Sequence, residues 1–182
     1  MPITASTPIE HLLAVANSYH EPEARDEGSA DGPQWLPAHD HLDSPAAAIE
    51  FLRRKGVSMG SAPQSRHLER LREIRAAARA LTASRRAYEV RTARLLAQAR
   101  FRVDSSGALY PLREGWDGFV DGLLLPLVQL RDHAPRLKVC DNDQCRWLFI
   151  DHSKNRSRQW CESATCGNRQ RVRRFRRRLE AA

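Results

Sequence analysis

Cys140-Asp141-Asn142-Asp143-Gln144-Cys145 and Cys161-Glu162-Ser163-Ala164-Thr165-Cys166-Gly167-Asn168-Arg169 contain every cysteine of this 182-residue chain, in the pattern C-x4-C-x15-C-x4-C. Two close pairs separated by a hairpin-sized gap suit a tetrahedral ion, each pair clipping one side of it. The 40-odd residues from Cys140 to Arg178 are too few to bury a core of their own. Zinc ligation, about 10–16 kcal/mol in small zinc peptides, would hold such a module together. Disulfides or free core thiols are the plain alternative, and paired cysteines in a reducing compartment favour the metal. One structural Zn2+ on Cys140, Cys145, Cys161 and Cys166 is therefore expected. A catalytic metal is not, because four thiolates leave no open position for water. His152 reads as a surface residue beside this full ligand set.

Working outward, Arg146-Trp147-Leu148-Phe149-Ile150-Asp151 reads as a strand, Ser153-Lys154-Asn155-Arg156 as a turn, and Arg158-Gln159-Trp160 as the return. Beyond Cys166, Val172, Phe175 and Leu179 fall at i, i+3 and i+7, the spacing of one helical face. That face is expected to pack on the hairpin, with Arg173, Arg174, Arg177 and Arg178 pointing away. Asn168 is expected to cap the helix. Knuckle, hairpin, second knuckle and helix together make a treble-clef-like zinc finger.

Charge singles out the same segment. Residues 136–182 hold 13 Lys/Arg against 5 Asp/Glu, whereas residues 1–135 hold 17 of each. The whole net charge of +8 thus sits on the last quarter of the chain. Six arginines occupy the eight positions 171–178, more than solubility of a solvated face requires. A polyanionic partner follows, with nucleic acid first. The expected contact residues are Arg156, Arg158, Arg169, Arg171, Arg173, Arg174, Arg176, Arg177 and Arg178.

The first 135 residues read as a mainly helical domain. Thr7-Pro8-Ile9-Glu10 starts one helix as a capping box, and Ser44-Pro45 starts a second that stops at Gly56. Residues 21–43 read as a long acidic loop with Trp35 and Leu36 anchoring its middle. From Gln64 the chain is rich in Ala, Arg and Leu, with a break available at Thr82-Ala83-Ser84. A short hairpin turns at Asp104-Ser105-Ser106-Gly107. A further helix carries Trp116, Phe119, Val120, Leu123, Leu127 and Leu130, with Pro126 forcing a kink or a late start. The chain is thus expected to divide into a helical domain with a short β-hairpin, residues 1–135, and the finger, residues 136–182.

His39-Asp40-His41 lies in the loop without a ligand at helical spacing and reads as surface or minor packing. Trp35, Trp116 and Tyr88 read as core rather than as walls of a ligand pocket. No nucleophile–base set, phosphate-binding glycine loop or paired carboxylates are visible, so an enzyme is not expected. No apolar run approaches a membrane span, and the N-terminus shows no secretory pattern, which points to the cytoplasm.

The residues of the cysteine segment also carry a family resemblance. Cys140-x4-Cys145, Trp147-Leu148-Phe149-Ile150-Asp151, Ser153, Asn155, Ser157-Arg158, Trp160-Cys161 and Cys166-Gly167-Asn168-Arg169 resemble the CGNR zinc finger, named for those last four letters. In that family the finger follows an α-rich ABATE domain, described as a stress-induced transcription regulator. Residues 8–135 resemble that domain more loosely, with Asn17-Ser18 where Asn-Thr is usual. The resemblance implies a bacterial DNA-binding transcription regulator, its N-terminal domain sensing a small-molecule effector, forming a homodimer, or both. RNA binding, with Trp147 or Trp160 stacking on bases, and docking on an acidic protein are the alternatives.

Overall fold

Helix signals in the sequence translate directly into the architecture. A computed structural model describes residues 9–20, 23–25, 34–36 and 38–180, with side chains for 9–20 and 38–179. It is mainly helical, with short two-stranded ladders. One compact unit spans Met1–Tyr19 and Asp40–Pro135; the other spans His20–His39 and Arg136–Ala182. No described helix is long and apolar enough to cross a membrane.

In the first unit, α1 (Ile9–Ala16) buries Leu12 and Val15. The expected cap of this helix, Thr7-Pro8, lies outside the described residues. Helix α2 (Pro45–Arg54) starts as its residues dictate: Ser44 Oγ accepts from the Ala47 amide at 3.2 Å, and Pro45 takes the first turn. It ends at Gly56, whose φ of +82° is the left-handed conformation that a glycine adopts freely. Helix α3 (Ser65–Ala80) and α4 (Arg85–Ala97) are separated at Thr82–Ser84, where the Ser84 hydroxyl caps α4 through the Ala87 amide. Helix α5 (Gly115–Gly122) stops before α6 (Leu124–Gln129), so Pro126 sits in the first turn of a new helix, where its missing amide costs nothing.

Helix α3 packs on both α1 and α4, and α4 on α6. Leu71 and Ile74 of α3, like Leu12, Leu52, Leu123, Leu124 and Leu127, have no exposed surface and belong to a core from which water is excluded. Trp116 and Tyr88 are buried, and each places its polar atom: Trp116 Nε1 donates to the Ser61 carbonyl at 2.8 Å, Tyr88 OH to that of Leu127 at 2.6 Å. Strands β5 (Phe101–Val103) and β6 (Leu109–Pro111) form the expected hairpin, closed by Asp104 accepting from Ser106 and Ala108. The buried carboxylate of Asp121 accepts from Arg113 at 2.6 and 2.7 Å and from Arg70 at 3.1 Å.

The acidic segment read as a loop carries secondary structure. Strands β1 (Tyr19–His20) and β4 (His39–Asp40) pair, and β2 (Glu23–Arg25) pairs antiparallel with β3 (Gln34–Leu36) in the register Ala24↔Trp35. The side chains of Trp35 and Leu36, expected to be anchors, lie outside the described ones. Asp40 is held by Arg75 through two hydrogen bonds of 2.6 and 2.8 Å, and His41 stacks on Phe51 with centroids 4.4 Å apart. Both are packing roles.

Candidate metal centre and basic helix

The second unit is built from β7 (Leu137–Val139), β8 (Leu148–Ile150), a π-helical turn Ser163–Gly167 and α7 (Asn168–Glu180). Strands β7 and β8 pair antiparallel, Lys138 opposite Phe149. The first cysteine pair therefore lies at the tip of a hairpin. There the Cys140 amide donates to the Trp147 carbonyl at 2.8 Å, and the amides of Cys145 and Arg146 donate to that of Asn142. Arg146 leaves the tip in the left-handed region, φ 52°. Asp141 N donates to the Gln159 carbonyl at 2.9 Å, which ties the returning chain to the first knuckle.

The ligand atoms of Cys140, Cys145, Cys161 and Cys166 all lie within 4.8 Å of one another. Cys145 Sγ is 3.6 Å from Cys161 Sγ, which is 3.7 Å from Cys166 Sγ. Four sulfurs at zinc bonding distance in a tetrahedron would be about 3.8 Å apart, whereas a disulfide requires about 2.05 Å. All four cysteines are free. The donor set therefore fits zinc and not a cystine pair.

The surroundings favour a thiolate at Cys161 and disfavour one at Cys140 and Cys145. Backbone amides donate to the sulfurs: Cys161 and Asn142 to Cys140, Trp147 to Cys145, and Glu162 to Cys161. Such donors orient a ligand and stabilise its charge. Hydrogen bonding from Cys145 holds the Cys161 thiol down to about 6, and the same bond, followed by burial, pushes Cys145 up. Burial raises Cys140. Loading a metal would expel the protons that Cys140 and Cys145 hold. When bound, zinc supplies cross-links between the two knuckles; no vacant position remains for chemistry on it.

Cys140, Phe149 and Cys166 form the buried cluster of this unit, with Cys145, Cys161 and Trp160 packed against it. Gly167 explains why a glycine follows the last ligand. A Cβ there would stand 2.3 Å from Cδ1 of Trp160, inside any permitted contact. The Trp160 indole lies against the turn that delivers Cys166.

A carboxylate missed in the sequence organises the rest. Asp151 is fully buried and accepts from Lys138 Nζ at 2.8 Å, Ser153 Oγ at 2.6 Å, and the amides of Ser153 and Arg158 at 2.9 Å each. Burial alone would raise its pKa; the Lys138, Ser153 and Arg158 hydrogen bonds outweigh this and hold the carboxyl well below its usual range. Arg136 donates to the carbonyls of Asp151 and Ser153, closing the loop from the other side. The spacing Asp151-His152-Ser153 is the Asx-turn signal that could have revealed it.

The structure redistributes the nine arginines. Arg158 stacks over Phe149 at 5.4 Å and donates to the Cys161 carbonyl, so it braces the centre. Arg173 donates to Gln144 Oε1. Arg156, Arg169, Arg171, Arg174, Arg177 and Arg178 are exposed, and Arg176 is half-buried.

The expected packing of α7 is reversed. Val172, Phe175 and Leu179 are 38%, 62% and 63% exposed, not buried on the hairpin. The docked edge is polar: Gln170 donates to Asn142 Oδ1 at 3.3 Å, and Arg173 reaches Gln144. The π turn runs without interruption into α7, so the position of Cys166 sets the helix azimuth rather than the apolar stripe. Asn168 is not a cap either. Its φ of −67° and ψ of −45° are helical, and an N-cap needs extended dihedrals. His152 is exposed, outside the ligand group.

No curated protein matches the chain. The segment just described, residues 136–179, matches the family model of the CGNR zinc finger.

Proposed function

We propose that the chain is a DNA-binding transcription regulator that works through this finger, with the helical unit sensing an effector, dimerising the protein, or both. One observation carries the reading. The finger presents Arg171, Arg174, Arg177 and Arg178 exposed on a single helix whose first turn is continuous with a metal ligand. Guanidinium groups on a rigid rod, joined by Arg156 on the loop braced by Asp151, suit a row of phosphates. Such contacts supply affinity and register rather than sequence readout. Duplex DNA is favoured over single-stranded RNA because Trp147 and Trp160, the stacking platforms RNA would need, are both half-buried. The resemblance of residues 8–135 to the ABATE domain supports the regulatory role and, through it, a stress response in a bacterial cytoplasm. Zinc is structural in this reading and the protein is not an enzyme.

The test replaces Arg174 and Arg177 by alanine in zinc-loaded protein and measures duplex binding across salt concentrations. Loss of two phosphate contacts should flatten the slope of log affinity against log salt by about 1.8. Unchanged affinity and slope would remove α7 as the binding surface.

A further inference from the structure

The open stripe on α7 has no role in phosphate binding. Val172, Phe175 and Leu179 follow one another at i, i+3 and i+7, and Phe175 and Leu179 are among the most exposed large apolar side chains described. At about 100° per residue, Arg174 and Arg177 point to the opposite side of the helix, while Arg171 and Arg178 border the stripe. With Val172 and Leu179 as a positions and Phe175 as d, the flanking e and g positions are Arg171, Arg176 and Arg178. Flanking charge selects the occupant of such a seam. A second copy would set arginine against arginine, which is repulsive at every flank. A nucleic-acid backbone would neutralise the arginines and leave Phe175 and Leu179 in water.

We propose that this face docks an acidic amphipathic helix of another protein, with apolar residues at its a and d positions and Asp or Glu at its e and g positions. The mode is helix against helix, the apolar pair supplying affinity and the arginine borders fixing orientation and excluding basic or neutral partners. Thirteen residues of α7 offer about two heptads, enough for one short partner helix. The docking goes beyond DNA binding and does not depend on it: the apolar seam lies opposite Arg174 and Arg177, and only the bordering Arg171 and Arg178 are shared between the two uses.

The experiment uses the full zinc-loaded chain and a labelled two-heptad peptide with leucine at a and d and glutamate at e and g. A scrambled peptide of the same composition is the control for charge alone. The amphipathic peptide should bind at least about tenfold more tightly, because only it buries Phe175 and Leu179. F175S/L179S should abolish that preference while duplex DNA affinity stays unchanged. If that variant loses zinc, R171E/R178E provides the second arm: it should reject the acidic peptide and accept one with lysine at e and g. Equal binding of both peptides would overturn the proposal, leaving charge alone. So would binding to phosphatidylserine vesicles without peptide preference, which assigns the stripe to a lipid surface. A dimer in sedimentation that F175S/L179S dissolves would assign it to a second copy. Failure of the R174A/R177A test for DNA leaves these outcomes intact, so the two readings fail separately.

Discussion

The two units solve the same problem with opposite means. The helical unit excludes water from a broad aliphatic core in which Leu12, Leu71, Ile74, Leu123, Leu124 and Leu127 have no exposed surface. The finger buries a cluster centred on Cys140, Phe149 and Cys166. Among the described residues each unit also buries one aspartate, Asp121 under Arg113 and Arg70, and Asp151 under Lys138. In the helical unit that ion pair is added to a sufficient core. In the finger the carboxylate and the sulfurs are the frame itself, and apolar packing is the supplement. A module of this size cannot bury enough surface to do otherwise.

That contrast can be broken by removing the metal. Cys140→Ser, or a strong chelator, should unfold the finger and leave the helical unit folded, since ligation in such modules is worth about 10–16 kcal/mol. Metal analysis should return one zinc per chain before treatment, and circular dichroism should retain the helices of the first unit afterwards. Collapse of the whole chain would show that the units are not energetically separate. The converse change, Leu71→Ala, should cost the helical unit about 2–5 kcal/mol in denaturant titration and leave zinc content unaltered.

Gly167→Ala makes a smaller demand on the finger. The new Cβ must displace the Trp160 indole, an overpacking expected to cost about 1–3 kcal/mol. Weaker zinc retention with shifted Trp160 fluorescence would register it, and an unchanged protein would refute the close approach. The smallest effect is set by pH in the helical unit. Burial lowers the pKa of His67, opposed by Asp117, and its Nδ1 accepts from the Gln64 amide at 2.9 Å, which requires the neutral ring. A histidine whose folded pKa lies below its unfolded value lends stability that is full above about pH 6.5 and declines as pH falls. Stability of this unit should therefore drop between pH 7 and pH 5, and His67→Gln should flatten the slope.

Local chemistry made much of this structure readable. Ser44-Pro45, Gly56, Ser84 and the turn at Asp104–Gly107 act within a few residues of themselves, and each does what its side chain dictates. Four cysteines at knuckle spacing are equally local, which is why the metal centre was legible and the zinc with it. The azimuth of α7 was not. Helical periodicity identifies which residues share a face, but assumes that the apolar face is the buried one. Here the turn through Cys166 and Gly167 fixes the helix, and Gln170 and Arg173 meet the hairpin instead. Arg158 looked like a phosphate ligand because composition does not distinguish a free guanidinium from one spent on Phe149 and Cys161. Asp151 was passed over because a lone acid in a basic stretch carries no periodic signal. The strands inside the acidic segment were missed because three-residue ladders between glycines and prolines leave almost no pattern.

The π turn has one further consequence. Between Gln170 and Glu180 the residues of α7 carry like charges at neighbouring turns, an arrangement that opposes helix formation, and thirteen residues are marginal for an isolated helix in any case. The first turn is the costly step of helix growth, and here it follows directly on the π turn that contains Cys166. Ligation would therefore nucleate the helix from its N-terminus, and a cell short of zinc would hold not a loosened finger but a chain in which the arginine helix had yet to start.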